Sequence, residues 1–451
     1  MILLSDSQIQ QFIVNGYVTV KSDFSSAFHE SVRAQAEAIF ASKGNPGNDI
    51  LPAIPQLSEL FSHPAVTGAL TSILGPGYAM HPHRHCHLTP PSQSGQRHHQ
   101  DSYEADQNVR HHRTRWAMAF YYPQHVTEEM GPTSVLPASQ YYTSPIQAER
   151  KDEALLCGEA GTVTIVHYDL WHRATTNHSD RNRYMMKFLF CRMTEPAAPA
   201  WNCSNPRWRD PVAGRELSRL WQSVWNWHLG RESLDQAGNG SLPANTAVPG
   251  PKRLTHNEVD SLPEADRLRE AYRLSGQGEH GSTALMANLA EEVAALHQKN
   301  LAAPHTNPSQ LVSCFGLSAQ GAAAVPRLVS ALSAEDWPLR AAAADILGDI
   351  GLAARTAVPS LIDCLEDVSE WVRRNAVEAL GNIASPEAVP RLSQRLTNDS
   401  CHFVRHNAAL SLTKIGPEAK AASTSLQAAL EDSNMYVREN ARLALARIRA
   451  S

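Results

Sequence analysis

The sequence predicts a multidomain chain, a small β-barrel half with flanking helices followed by an all-α solenoid. The last third repeats itself at a helical period, and the first half is made of short β-branched and aromatic runs separated by turn residues. Between them lies "RESLDQAGNGSLPANTAVPGPKRLTHNE", whose Gly, Pro, Asn and Ser mark a linker. With 451 residues, 42% of them hydrophobic, the chain has enough apolar side chains for two or three cores.

"LGDI" at Leu347, "LGNI" at Leu380, "LTKI" at Leu412 and "LARI" at Leu445 stand 33, 32 and 33 residues apart. An arginine precedes each leucine by seven positions: Arg340, Arg373, Arg405 and Arg438. A period of this length signals stacked helix pairs. Within the units, Val325, Leu328, Val329 and Leu332, then Val358, Leu361, Ile362 and Leu365, fall on one helical face. Pro326, Pro359 and Pro390 belong in first helical turns. Each arginine is expected to bond a carbonyl or acid of the neighbouring unit, and the polar "ASTSLQAAL" to cap the stack. From Ala322 to Ser451 the chain resembles short HEAT-like repeats. The expected domains are 1–235, a linker with connecting helices at 236–315, and about four repeats in 316–451.

The first half opens with two helices, "SDSQIQQFIVNGYVTV" and "SAFHESVRAQAEAIFASKG". Strands follow in "YAMHPHRHCHL", "RTRWAMAFYYP" and "TVTIVHYDL". Strands without alternating helices favour a sandwich or barrel over a parallel doubly wound sheet. A formal net charge of −5 offers no general attraction to polyanions, so neither nucleic acid nor an acidic membrane surface is expected as a partner. Seven scattered cysteines without a Cys-x-x-Cys pair fit reduced thiols. The N-terminal stretch lacks secretory features and no segment reaches a bilayer-spanning apolar length, so a soluble cytoplasmic protein is expected.

His-x-Asp occurs three times, at His99/Asp101, His167/Asp169 and His178/Asp180. Two residues apart on a strand, such a pair projects to one side and supplies two ligands. A non-haem Fe(II) centre adds a distal histidine, and 2-oxoglutarate as cosubstrate adds a basic residue beyond it. From His99/Asp101, His172 follows Asp101 by 71 residues and Arg183 follows His172 by 11. The other two pairs find no comparable partners: the next histidine beyond their own cluster is His228, in a helical segment, with Gly238 and Asn239 where the basic residue would stand.

"GQRHHQDSY", "RWAMAFYYPQ", "MGPTSVLPASQ" and "GTVTIVHYDLWHRATTNHSDRNR" resemble, in this order, the signature blocks of the phytanoyl-CoA dioxygenase family. With "QFIVNGYVTV" the likeness covers roughly residues 8 to 230. The resemblance implies a double-stranded β-helix, jelly-roll or cupin-like, that uses Fe(II), 2-oxoglutarate and O2. It implies His99, Asp101 and His172 as iron ligands and Arg183 as the 2-oxoglutarate carboxylate clamp. It also places Asn177 between distal histidine and clamp, and Trp116 as an aromatic of the cosubstrate pocket. Met130, Ala138 and Gln140 depart from the family pattern, a difference confined to one loop. Halogenating relatives have Gly or Ala at the carboxylate position, so Asp101 argues for hydroxylation or a related oxidation. The implied substrate is a small molecule (a secondary metabolite, amino acid or acyl derivative), with succinate and CO2 released.

The row His81, His83, His85 and His87 is expected to line the barrel or its mouth, and Trp221, Trp225 and Trp227 to be helix core. In "NVRHHRTR", Arg110, Arg113 and Arg115 are a solvated face or the recognition site for an anionic substrate group. The repeats offer a surface for a protein partner or self-association. The competing reading is a non-catalytic scaffold in which the solenoid binds a protein.

Overall fold

A computed structural model describes residues 1–102, 110–143, 153–209, 217–231, 262–298 and 311–449. Its contacts divide the chain into two units, Met1–Tyr103 with Thr114–Arg207, and Glu104–Arg113 with Trp208–Ser451. The division falls before the expected boundary at 235, because α6 (Ser218–His228) packs in the second unit, where Trp221 and Trp225 are fully buried. The predicted linker from Arg231 to Glu258 lies, beyond its first residue, outside the described residues.

The first unit begins with α1 (Asp6–Asn15), started by a capping box in which Ser5 and Gln8 satisfy each other's backbone N–H groups. Gly16 ends it at φ 83°, where a Cβ would stand 2.6 Å from Gln140 Oε1, so only glycine turns the chain into β1 (Tyr17–Lys21). Helices α2 (Ser26–Lys43), α3 (Ile50–Ala53), α4 (Gln56–Phe61) and α5 (Pro64–Leu74) precede β2 (Ala79–Thr89). Then come β3 (Trp116–Tyr121), β4 (Thr133–Val135), β5 (Ala154–Leu155), β6 (Thr162–His167), β7 (His172–Ala174) and β8 (Arg183–Cys191).

All pairings are antiparallel, in a five-stranded sheet of order β1-β6-β3-β8-β2 and a three-stranded sheet of order β5-β4-β7. The core lies between them: Met118 and Phe120 of β3, Val166 of β6, and Met185 and Leu189 of β8 cluster with Val135 of β4. Alternation then decides what else faces inward. Lys187 of β8 stands opposite His85 of β2 and Phe120 of β3, on the face of Met185 and Leu189.

In the second unit the repeats are helix pairs whose second members are Trp337–Ile350, Glu370–Asn382, His402–Ile415 and Met435–Arg449. Pro326, Pro359 and Pro390 stand in first helical turns as expected. The recurring arginines form a ladder. Arg340 donates two hydrogen bonds to Asp367 (2.7 and 2.9 Å), Arg373 to Asp399 (2.9 and 3.0 Å) and Arg405 to Asp432 (2.7 and 3.1 Å). Each also donates Nη1 to two carbonyls of its own turn. Each rung therefore joins one repeat to the next.

The same unit includes Arg110–Arg113. His111 reaches Asp345 at 3.1 Å, and His112 stacks on Phe315 with ring centroids 3.8 Å apart. Arg113 donates to the carbonyls of Asp349 and Ser318. All seven cysteines are free, and among the described residues no helix is long and apolar enough to cross a membrane.

Candidate metal centre

The two histidines predicted as ligands are brought together by backbone. His99 N–H donates to His172 C=O at 2.9 Å and His172 N–H to His99 C=O at 3.0 Å, a two-way bridge that puts both rings on one face, centroids 4.6 Å apart. Each ring is oriented from behind: His99 Nδ1 bonds Arg97 C=O at 3.0 Å and His172 Nδ1 bonds Leu170 C=O at 2.8 Å. Holding the proton on Nδ1 leaves each Nε2 lone pair for a ligand. Asp101, two residues beyond His99, brings Oδ1 to 3.9 Å from His99 Nε2 and Oδ2 to 3.6 Å from His172 Nε2. Among the described residues these three form the one group of metal donors, all within 4.8 Å of each other. Two imidazoles and one carboxylate on one side of a point leave the other side for small ligands.

Lys187, which the sequence reading passed over, donates to Asp101 Oδ2 at 2.7 Å from a buried position on β8. Burial alone would raise the Asp101 carboxyl, but Lys187, His172 and His99 together hold it well below the ordinary carboxylate range. Burial pushes His172 down to about 4, so it is neutral and able to ligate at pH 7. The signal for Lys187 was available in "RYMMKF": a residue four beyond Arg183 on a strand shares its face.

Arg183 opens β8 and is 1% exposed. Nε and Nη2 donate to Gly131 C=O at 3.0 and 2.8 Å, whereas Nη1 is buried with no hydrogen-bond partner among the described residues. A buried guanidinium nitrogen left over is a docking point for a carboxylate. Gly131 is required beneath it, since at φ 68° a Cβ would meet Thr175 O at 2.8 Å and Asn177 N at 2.9 Å. Asn177 is fully buried, donating to Thr89 and Arg181 carbonyls and accepting from Ser179. Its polar atoms fix the turn between His172 and Arg183.

Other expected positions fall elsewhere. Trp116, expected beside the cosubstrate, pairs with Cys191 at the opposite end of β8 from Arg183, about 26 Å along the strand. The aromatics near the site are Phe120, 5.7 Å from the His172 ring, and Tyr122, whose ring lies 5.9 Å from Arg183 Cζ. Arg113 and Arg115 do not present a substrate-binding face: Arg113 is engaged within the second unit, and Arg115, 2% exposed, is clamped by Glu195 at 2.8 and 2.9 Å. Arg110 is half-buried and belongs to the second unit. Of the β2 histidines, burial and then Lys187 push His83 down to about 4, and the same two causes lower His85 and His87. His167 Nδ1 accepts the Asp169 N–H at 3.2 Å within a turn, while His178 and Asp180 are exposed.

Residues 13–185 match the model of the phytanoyl-CoA dioxygenase (PhyH) family. Residues 358–446 match HEAT repeats, the region of the arginine ladder. Solved structures similar to the PhyH part include the non-heme alpha ketoglutarate dependent carbocyclase SnoK from nogalamycin biosynthesis. It is 18% identical, with 42% of this chain and 85% of that one covered and a TM-score of 0.36. HygX from Streptomyces hygroscopicus, with nickel and 2-oxoglutarate bound, is 13% identical, covering 42% and 88% with a TM-score of 0.35. The non-heme monooxygenase ThoJ, as its nickel complex, is 16% identical, covering 48% and 95% with a TM-score of 0.34. No curated protein matches the sequence.

Proposed function

We propose that this protein is an Fe(II)- and 2-oxoglutarate-dependent dioxygenase that hydroxylates an unactivated C–H bond of a small molecule. The observation that carries the reading is the pairing of the His99–Asp101–His172 donor set with the buried Arg183, whose Nη1 has no partner among the described residues. The donors suit Fe(II), and the leftover Nη1 suits the distal carboxylate of 2-oxoglutarate. A double-stranded β-helix fits the two facing antiparallel sheets. Free thiols suit a reducing, cytoplasmic compartment.

In this reading iron and dioxygen supply the oxidising power, one oxygen atom leaving in succinate as CO2 is released and the other entering the substrate C–H bond. The chain's own residues do the remaining work. His99 and His172 present Nε2 because Arg97 and Leu170 hold Nδ1. Arg183 fixes the far end of 2-oxoglutarate, and Gly131 fixes Arg183. Phe120 covers His172 and keeps water from it. Lys187 holds Asp101 ionised, and the substrate is a small molecule of a class that includes anionic ones: a secondary metabolite, amino acid or acyl derivative. The HEAT repeats offer a surface for a protein partner or for self-association.

Anaerobic addition of Fe(II) and then 2-oxoglutarate to the purified protein tests this. The visible metal-to-ligand charge-transfer band is expected in wild type, absent in Asp101→Ala and weakened in Arg183→Ala. A folded wild-type protein with no band refutes the enzyme and favours the scaffold, with the solenoid's partner as its function.

A further inference from the structure

We infer that Glu153 is a positioning residue of the metal centre, holding the two ligand-bearing segments together from the side away from the metal. This rests on the reading of His99, Asp101 and His172 as the ligand set.

His99 and His172 face each other across a backbone bridge, so their chain neighbours His98 and Arg173 emerge together on the opposite face. That outer face continues through the three-stranded sheet, where Arg173 of β7 stands opposite Ser134 of β4, and Ser134 opposite Leu155 of β5. Glu153, two residues before Leu155, reaches into this row. Arg173 binds it with both prongs, Nε to Oε1 at 2.6 Å and Nη2 to Oε2 at 2.8 Å. Ser134 Oγ donates to Oε1, and His98 Nε2 lies 3.3 Å from the same oxygen.

One carboxylate thus contacts the immediate neighbour of each ligand histidine and the strand between them and itself. A two-pronged guanidinium pair fixes direction as well as distance. Tilting Arg173 rotates the β7 backbone that carries His172, and releasing His98 frees the segment that carries His99 and, two residues on, Asp101. Supports that orient ligands are typically worth about ten- to a hundredfold in metal affinity.

The test is Ni(II) binding to the full chain by calorimetry, with the Fe(II)–2-oxoglutarate band as a second readout. Glu153→Gln keeps the shape and removes the charge, and is expected to weaken Ni(II) about ten- to a hundredfold and to shift or broaden the band. Glu153→Asp should recover part of the affinity. Arg173→Met, which leaves Ser134 and His98 on Glu153, should cost no more than Glu153→Gln, and the double variant less than the sum of the two, because they share one contact. Glu159→Gln, which loses only a surface pair with Lys21, serves as the control. Wild-type affinity in folded Glu153→Gln, a loss no larger than the control's, or additive losses in the double variant would overturn the proposal. Should Glu153→Gln not fold, Arg173→Lys, which keeps the charge but not the fork, decides by the same affinity criterion. A wild-type chain that binds neither metal overturns the metal centre itself, a result distinct from unchanged affinity in the variant.

Discussion

Replacing Arg183 with Met should abolish discrimination between 2-oxoglutarate and 2-oxopentanoate, which has a methyl group where the distal carboxylate stands. Two of the three guanidinium nitrogens are held by Gly131 C=O, so the carboxylate has Nη1 and the net charge to bind. Truncating one partner of a buried, hydrogen-bonded charge pair costs about 2–5 kcal/mol, about thirty- to several-thousandfold in affinity. The assay is anaerobic titration of the Fe(II) form with each oxo acid, following the charge-transfer band. Wild type should prefer 2-oxoglutarate by that factor, and Arg183→Met should bind the two acids alike, near the wild-type affinity for 2-oxopentanoate. Metal affinity should be unchanged, because none of the hydrogen bonds of Arg183 is made to the three ligands. Gly131 C=O loses its donors, at a cost of about 1–3 kcal/mol, so melting must first show the variant folded. A folded Arg183→Met that still prefers 2-oxoglutarate by the wild-type factor would refute the assignment.

Gly131→Ala should lower the melting temperature and weaken 2-oxoglutarate binding, since φ 68° and the Thr175 carbonyl 2.8 Å away force the loop beneath Arg183 to shift. In the ladder, Arg373→Ala should cost about 2 kcal/mol in chemical denaturation, since Asp399 is nearly buried, and Arg438→Ala, which donates to two carbonyls of its own turn, less than half of that. Burial alone would raise Glu378, but Arg374 and Lys414 bring it down to about 2, so its folded value lies below the ordinary 4.5. Its stabilisation is therefore fully present above pH 4.5 and is lost as pH falls toward about 2. Melts between pH 7 and 2.5 should show Glu378→Gln less stable than wild type at neutral pH and converging with it at the acid end.

The candidate donor pair His99/Asp101 was legible because its geometry is local. His-x-Asp on an extended segment must share a face, and the distance to His172 and on to Arg183 could be read by counting. The repeats were legible for the same reason, the arginine and the leucine of each unit lying seven residues apart. Glu153 was not, and for Lys187 only the face it shares with Arg183 was, because the partner of each is set by cross-strand register, which spacing along one strand leaves open. Glu153 finds Arg173 20 residues away, with other acids equally near in sequence. Arg113 and Arg115 misled for the opposite reason. A dense basic run reads as solvated, yet Arg113 is buried by carbonyls more than 200 residues downstream and Arg115 by Glu195. Trp116 matched a motif but was carried by the β3–β8 register to the far end of the strand.

The placement of Arg110–Arg113 in the second unit has a consequence for how the chain is made. The hydrogen bond of His111 to Asp345 must wait for a residue 234 positions later. A growing chain has both His99 and Asp101 out of the ribosome long before the helices that contact His111–Arg113 exist. Until synthesis reaches the first repeats, His112 and Arg113 stand without Phe315 and Asp349. The sheets of the first unit can therefore form early, while that segment of the second unit cannot settle until the solenoid is made, so translation past Asp349 sets the earliest moment of completion.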